Sequence, residues 1–287
     1  DQLYRMDYNR MIETHVKSRA DVTIATIPVD AEAAKSFGIM RLDDDGRVVG
    51  FLEKPQSDED LRLVRTDPAW LDAHGIESRG RDCLASMGIY VFNRDVLVQL
   101  LAKSDYQDFG KEVFPMAIRT RRAQAHAFDG YWEDIGTIKA FYDANLALAG
   151  SNPPFEFRLP DAPIYTRARY LPPTRIDGAT IRRSLIADGC IIDEGAVIEN
   201  SVIGLGMDTY ELPEEIEADR SAGRPPVGIG AGSLIEGAII DKNCRIGKGV
   251  RLQNAAALDD REDEHVVIRD GIAIVPKDGI LPDGWSL

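Results

Sequence analysis

In the second half of this chain an aliphatic residue returns every five or six positions. Ile176, Ile181, Ile186, Ile192, Ile198 and Ile203 are spaced by 5, 5, 6, 6 and 5 residues, and Ile229, Ile235, Ile240, Ile246 and Leu252 by 6, 5, 6 and 6. Neither the helical period nor the two-residue alternation of a hairpin strand generates such a spacing. A left-handed parallel β-helix does, because each coil turns through three six-residue faces and points one aliphatic side chain inward from each. Gly178, Gly189, Gly195, Gly232, Gly237 and Gly249, with Asn243, stand between the repeats and suit tight corners. Between the two blocks, Met207 to Arg224 reads as an excursion from the coil, and its acidic run of Glu214, Glu215, Glu217 and Asp219 as a solvated helix face without chemistry.

Residues 1–150 follow a different pattern. Tyr8, Met11, Ile12, His15 and Val16 form one apolar helical stripe, and Asp21 to Val29 reads as the strand that follows. Phe37 to Leu42 and Val48 to Leu52 flank Asp43-Asp44-Asp45-Gly46, a hairpin turn. Leu84 to Phe92 is a further strand, with helices expected over Arg94 to Lys103 and over Lys111 to Thr120, the latter N-capped by Asp108. This is an α/β layout with some antiparallel pairing. A proline-rich stretch (Pro153, Pro154, Pro160, Pro163, Pro172, Pro173) divides it from the repeats, giving domains over 1–150 and 151–287.

Composition removes several functions. A net charge of −14 argues against a nucleic-acid partner, which needs a basic face. No apolar run approaches the roughly 18 to 20 residues of a membrane helix, so no membrane partner is expected. Cys83, Cys190 and Cys244 make neither a zinc pattern nor a disulfide framework, and a reducing cytoplasm fits them. A β-helix acyltransferase typically deprotonates its acceptor with a coil histidine. This chain has no His between His126 and His265, so acyl transfer is not expected.

Three segments carry candidate chemistry. Gly130 to Thr137 sets two aromatics and two carboxylates between a strand (Gln124 to Phe128) and a helix with Ala140, Phe141, Ala144, Leu146 and Leu148 on its apolar positions, N-capped by Thr137. Asp134 then sits at a strand end, where open α/β sheets keep ligands, although turn geometry alone also explains an Asp-x-Gly sequence. In Phe51-Leu52-Glu53-Lys54-Pro55, Lys54 can bind a phosphate and Glu53 sugar hydroxyls, and an exposed Glu-Lys pair is the bland alternative. In Ala85-Ser86-Met87-Gly88-Ile89-Tyr90 the small residues let a ligand approach and Ser86 offers a hydroxyl; tight packing explains them equally well.

Asp1-Gln2-Leu3-Tyr4-Arg5-Met6-Asp7-Tyr8, Phe37-Gly38, Phe51 to Pro55, Ala85 to Gly88, Asp108-Phe109-Gly110, Tyr131 to Thr137 and the β-helix occur in the order seen in ADP-glucose pyrophosphorylases (glucose-1-phosphate adenylyltransferases). The resemblance covers nearly the whole chain. It implies a partial Rossmann-like nucleotidyltransferase domain, the sugar-binding part, over 1–150, followed by a left-handed β-helix regulatory and oligomerisation domain over 151–287. The implied reaction joins ATP and α-glucose 1-phosphate to give ADP-glucose and pyrophosphate in glycogen or starch synthesis. By position, Asp1 matches the family's catalytic aspartate and Asp134 its second metal-binding aspartate, the pair holding Mg2+. Lys54 matches the catalytic, glucose-1-phosphate-binding lysine. Gly38, Glu53 and Ser86 fall at sugar-contacting positions, and Trp132 packs beside the sugar or shapes the loop. Lys242 and Lys277 align with activator-binding lysines that receive an anionic metabolite effector, although Pro276 replaces a usual aliphatic residue. The family is usually tetrameric, so a homotetramer or heterotetramer is expected.

Two departures qualify this expectation. The family's Gly-rich nucleotide loop and purine-binding half do not occur in this sequence, so a longer parent is expected and the chain by itself is expected to be inactive in adenylyl transfer. Ser201 to Gly204 also abuts Leu205 to Asp208, where the family normally interposes about another coil turn. The alternatives are a non-catalytic subunit, regulatory or of a translation factor with the same architecture, and a transferase that uses another nucleotide.

Overall fold

In the computed structural model the described residues are 1–102, 109–157, 159–160, 162–166, 168, 170–204 and 213–287. Lys103, Asp108 and Leu205 to Asp208, all named above, lie outside them. Two compact units emerge, one of Tyr4–Trp132 and one of Asp1–Leu3 with Glu133–Leu287.

The first unit is an α/β layer structure. Its elements are α1 (Tyr8–Ser18), β2 (Val22–Val29), α2 (Ala31–Ala34), β3 (Gly38–Leu42), β4 (Val48–Glu53), α3 (Asp58–Val64), α4 (Pro68–Ala73), β5 (Cys83–Phe92), α5 (Arg94–Ala102), a π-helical turn (Phe109–Val113), α6 (Phe114–Thr120) and β6 (Ala123–Ala127). Among the described residues they form a five-stranded sheet in the order β4-β3-β5-β2-β6. β2 runs antiparallel to β5 and parallel to β6. It is buried from Val22 to Pro28, because its even residues Val22 and Ile24 pack with Phe114 and Ala117 of α6 while its odd residues Ala25 and Ile27 pack with Met11 of α1. A strand covered on both faces reads as a continuous apolar run, which is what its sequence shows.

Helix α1 begins where the Asp7 carboxylate accepts the Asn9 N–H at 2.9 Å. Its apolar stripe is wider than the surface it buries. Met11 and His15 form the buried row, whereas Tyr8, Ile12 and Val16 remain 52%, 47% and 66% exposed. Those three lie on the next row, about 100° around the helix, beyond the reach of the sheet. The short helices α3 and α4 were not read from periodicity, yet each has a signal. Ser57 and Asp60 close a capping box, and Asp67 caps a helix that opens with Pro68.

The ribbon of β1 (Gln2–Tyr4) and β7 (Trp132–Asp134) gives Gln2, Leu3, Glu133 and Asp134 to the second unit, which continues through α7 (Ile138–Leu148) and is completed by the coil. Among the described residues the coil builds three sheets. Arg175–Ile176, Ile191–Ile192, Gly228–Ile229, Arg245–Ile246 and Ile280–Leu281 stack in the first. Thr180–Arg182, Val197–Glu199, Leu234–Glu236 and Arg251–Gln253 stack in the second. The third holds Leu185–Ile186, Val202–Ile203, Ala238–Ile240 and Ile272–Val275, extended by an antiparallel hairpin of Arg261–Glu262 and Val267–Arg269. Register matches the repeat: Ile181, Ile198, Ile235 and Leu252 stand over one another, as do Ile176, Ile192, Ile229, Ile246 and Leu281.

Two serines complete the interior. Ser233 Oγ accepts the Val250 N–H at 3.1 Å and donates to the Gly247 carbonyl at 2.9 Å, and Ser201 Oγ accepts the Ala238 N–H at 3.2 Å. They satisfy amides that a dry coil would otherwise leave unpaired. The buried thiols donate to carbonyls of the coil, Cys190 to Gly204 at 3.1 Å and Cys244 to Pro276 at 3.2 Å, and burial pushes their pKa values up to about 11 and about 12.

The acidic run of the excursion is not uniformly solvated. Helix α8 (Pro213–Ser221) is tied down by Asp219, which pairs with Arg224 and, at 2.6 Å, with Arg245. The Arg224 hydrogen bond holds the Asp219 carboxyl below its ordinary range. Arg245 lies in a strand of the coil that follows the excursion, so local sequence could not reveal the pairing.

Two stability outcomes follow. Ile235 is fully buried, so Ile235→Ala is expected to lower urea-unfolding stability by about 2–5 kcal/mol. His126 is half-buried, with Nδ1 2.9 Å from the Thr14 hydroxyl, and burial followed by the Arg10 charge holds its pKa below the ordinary value. A depressed base binds fewer protons folded than unfolded, so its stabilisation is complete above about pH 6.5 and is lost as pH falls through that value toward the folded pKa. Melting temperature should therefore fall more steeply from about pH 7 to about pH 5 in the wild type than in His126→Gln.

Candidate active site

The β3–β4 hairpin gathers one set of candidate residues in the first unit. Gly38 stands opposite Glu53 in the ladder. A Cβ on Gly38 would lie 2.8 Å from a Glu53 carboxylate oxygen and would overlap the Phe51 ring, so the glycine makes the space that the carboxylate occupies. On the other side β3 pairs with β5, with Ile39 opposite Ala85 and Met40 opposite Leu84. Continued one position, that register sets Gly38 beside Ser86. Glu53, Gly38 and Ser86 therefore form one row across three neighbouring strands, on the face that carries Phe51, Tyr90 and Phe114. Phe109 joins this aromatic wall, 5.5 Å from Tyr90. Local alternation could not place Tyr90 in this wall, because β5 shifts register against β2 between Ser86 and Tyr90, where Gly88 is left-handed.

Lys54 follows directly. Its backbone is left-handed, with φ +48°, a conformation that costs a non-glycine residue about 1–2 kcal/mol. Both of its peptide groups are tied: its N–H donates to the Phe37 carbonyl at 2.9 Å, and its own carbonyl accepts the Gln56 amide at 2.8 Å. The side chain is exposed at the end of the Glu53 strand. Trp132 packs edge-on against Phe37, with ring centroids 5.2 Å apart, within the core on the α1 side. Its indole Nε1 is buried and has no hydrogen-bond partner among the described residues.

The second unit holds the two aspartates. The β1–β7 ribbon lets Ile135 N–H donate to the Asp1 carbonyl at 3.0 Å, so Asp1 and Asp134 arrive at adjoining strand ends. Thr137 Oγ1 then accepts the Ala140 N–H at 3.1 Å and starts α7, as expected from sequence. Both aspartates are exposed, and among the described residues neither carboxylate is engaged in an ion pair or side-chain hydrogen bond. Desolvation, reinforced by the charges of Asp134 and Asp143, raises the Glu133 carboxyl above its ordinary value. Among the described residues no three His, Cys, Asp or Glu side chains converge into a closed metal cage. Two uncommitted carboxylates do fit Mg2+, which is commonly held by one or two protein carboxylates and completes its shell with water and substrate phosphates.

Lys242 and Lys277 occupy successive turns of the third sheet. Ile240 registers with Val275, and the Asp278 N–H donates to the Lys242 carbonyl at 2.9 Å, which stacks the turns. Asp241 and Asp278 share those turns and oppose the two positive charges.

Residues 1–151 match the family model described as nucleotidyl transferase. The chain belongs to the nucleotidyl transferase family. Residues 169–285 match the GLGC left-handed parallel β-helix domain, in agreement with the coil. This nucleotidyltransferase thus joins an α/β transferase domain to a parallel coil. No helix among the described residues is long and apolar enough to cross a membrane.

Substituting Gly38 tests the row in the transferase domain. Gly38→Ala must displace Glu53 and Phe51, and is expected to lower stability by about 1–3 kcal/mol in urea and to perturb the near-ultraviolet dichroism of the Phe51–Phe114 pair.

Proposed function

We propose that this transferase domain belongs to an enzyme that joins ATP and α-glucose 1-phosphate to give ADP-glucose and pyrophosphate, in glycogen or starch synthesis. The observation that carries the reading is the β1–β7 ribbon, which delivers Asp1 and Asp134, from opposite ends of the transferase sequence, to adjoining strand ends. In the reaction a phosphate oxygen of glucose 1-phosphate attacks the α-phosphorus of ATP. A P–O bond forms, the bond to the β-phosphate breaks, and pyrophosphate leaves with its electron pair.

Each residue has a role within this reading. Lys54 offsets the charge of the attacking phosphate and orients it. Glu53 accepts hydrogen bonds from sugar hydroxyls, Ser86 contributes a hydroxyl to the same row, and Gly38 leaves the opening. Asp1 and Asp134 would hold Mg2+, which supplies charge neutralisation at the reacting and leaving phosphates. Trp132 shapes the loop from the core side through its edge-on contact with Phe37. Lys242 and Lys277, one coil apart, can share one anionic effector group; Asp241 and Asp278 weaken that field, so effector binding should be salt-sensitive. The coil supports assembly, and a tetramer working in the cytoplasm is part of the proposal.

Sugar-phosphate binding can be tested directly. Glucose 1-phosphate is expected to shift the backbone amides of Gly38, Glu53 and Ser86 in an NMR titration, and Lys54→Ala to weaken binding about tenfold or more. If no hexose 1-phosphate perturbs that row, the reading is wrong.

A further inference from the structure

Helix α7 starts just after Asp134 and ends against the coil. In the third sheet Ile186, Ile203, Ile240 and Val275 turn inward, so alternation turns Leu185, Val202, Ile239 and Ile274 outward. Helix α7 lies against the first two strands of that sheet, Leu185–Ile186 and Val202–Ile203. An apolar ladder repeats at every coil, about 4.8 Å apart, and by itself sets no register for a helix resting on it. A polar contact does. The Tyr142 hydroxyl donates to the Asn200 carbonyl at 2.5 Å.

The geometry around that bond is specific to one corner. Asn200 is left-handed, with φ +47°, and its N–H is committed to the Arg182 carbonyl at 3.1 Å. On the next coil the equivalent position is Gly237, where a Cβ would lie 3.9 Å from the Tyr142 oxygen. At the other end of the helix, Thr137 caps the first turn and Ile135 binds the Asp1 carbonyl. The path from the coil corner to the two aspartates therefore runs through one hydroxyl, one helix and one cap.

We propose that Tyr142 is a positioning residue: by anchoring α7 to Asn200 it fixes the helix on the coil and so holds Asp134 in line with Asp1. The inference rests on the assignment of those aspartates to the metal, and its test separates the two. In Tyr142→Phe, which keeps the ring, amide hydrogen exchange at Ile135 and Ala140 is expected to rise about threefold to tenfold, the range set by the net worth of one hydrogen bond. Exchange at Ile198 and Ile235, inside the coil, should stay unchanged. Lys139→Ala, which breaks the exposed Lys139–Asp143 pair on the same helix, should leave Ile135 as in the wild type. Binding of Mn2+, followed by water-proton relaxation, should weaken about threefold in Tyr142→Phe.

Unchanged exchange at Ile135 would overturn the proposal. So would a rise at Ile198 and Ile235 of equal size, or a variant that does not fold, because either makes the hydroxyl merely structural. A wild-type chain that binds no Mn2+ would instead remove the metal assignment, while the exchange pattern would still decide whether Tyr142 sets the position of the Asp134 segment.

Discussion

Each face of the coil has room for one branched aliphatic side chain per turn, and that steric limit organises the second unit. Because Ile198, Ile235 and Leu252 must stack inward, the residues beside them must face outward, and the backbone must turn at fixed places. The corners then become left-handed, as at Asn200, Asn243 and Asp278. The outward residues form ladders, and one apolar ladder receives α7. Stacking also brings Lys242 and Lys277, far apart in sequence, onto neighbouring coils. Close packing is equally unforgiving of side chains where coils touch. At Gly228 a Cβ would sit 2.5 Å from the Ile191 carbonyl oxygen, so a glycine stands where an outward residue stands elsewhere.

The transferase domain solves a different problem, that of keeping polar groups at the end of a sheet with a dry interior. Glu53 lies beyond the last buried positions of its strand, and the absence of a side chain at Gly38 lets its carboxylate turn across the ladder. Lys54 is held in a left-handed conformation that its own side chain disfavours. The hydrogen bonds to Phe37 and from Gln56 offset that strain and fix the backbone from which the exposed side chain leaves. The same carbonyl of Phe37 belongs to the residue whose ring supports Trp132, so the lysine and the tryptophan are organised by one residue.

Much of this was legible in the sequence because it depends on local periods. The coil followed from the spacing of isoleucines, the hairpin from Asp43 to Gly46, and the start of α7 from Thr137. Features that depend on long-range contacts were not legible. The stripe of α1 gave five apolar positions, but which row is buried depends on how far the sheet extends beneath the helix. Asp219 read as a solvated charge because its partner Arg245 is reached only after the chain rejoins the coil. The β1–β7 ribbon could not be inferred from strands of three residues, and without it Asp1 and Asp134 were joined by resemblance alone. The row of Glu53, Gly38 and Ser86 required the order β4-β3-β5, which no local pattern contains.

Under the proposed function, the electrostatics of the Asp134 segment bear on how a phosphate would be received there. Desolvation raises the Glu133 carboxyl above its ordinary value, and the nearby charges of Asp134 and Asp143 raise it further. Among the described residues Asp143 is paired with Lys139, whereas Asp134 and Asp1 have no basic partner. A chain of net charge −14 that concentrates unpaired carboxylates at adjoining strand ends makes binding of a phosphate there unfavourable by simple repulsion. The repulsion is removed when a divalent ion sits between carboxylates and phosphates, since the ion is then the largest local charge and reverses the sign of the field. Under the proposed function, the uncommitted aspartates are thus a device for conditional binding, hostile to bare phosphate and receptive to phosphate that arrives with its metal.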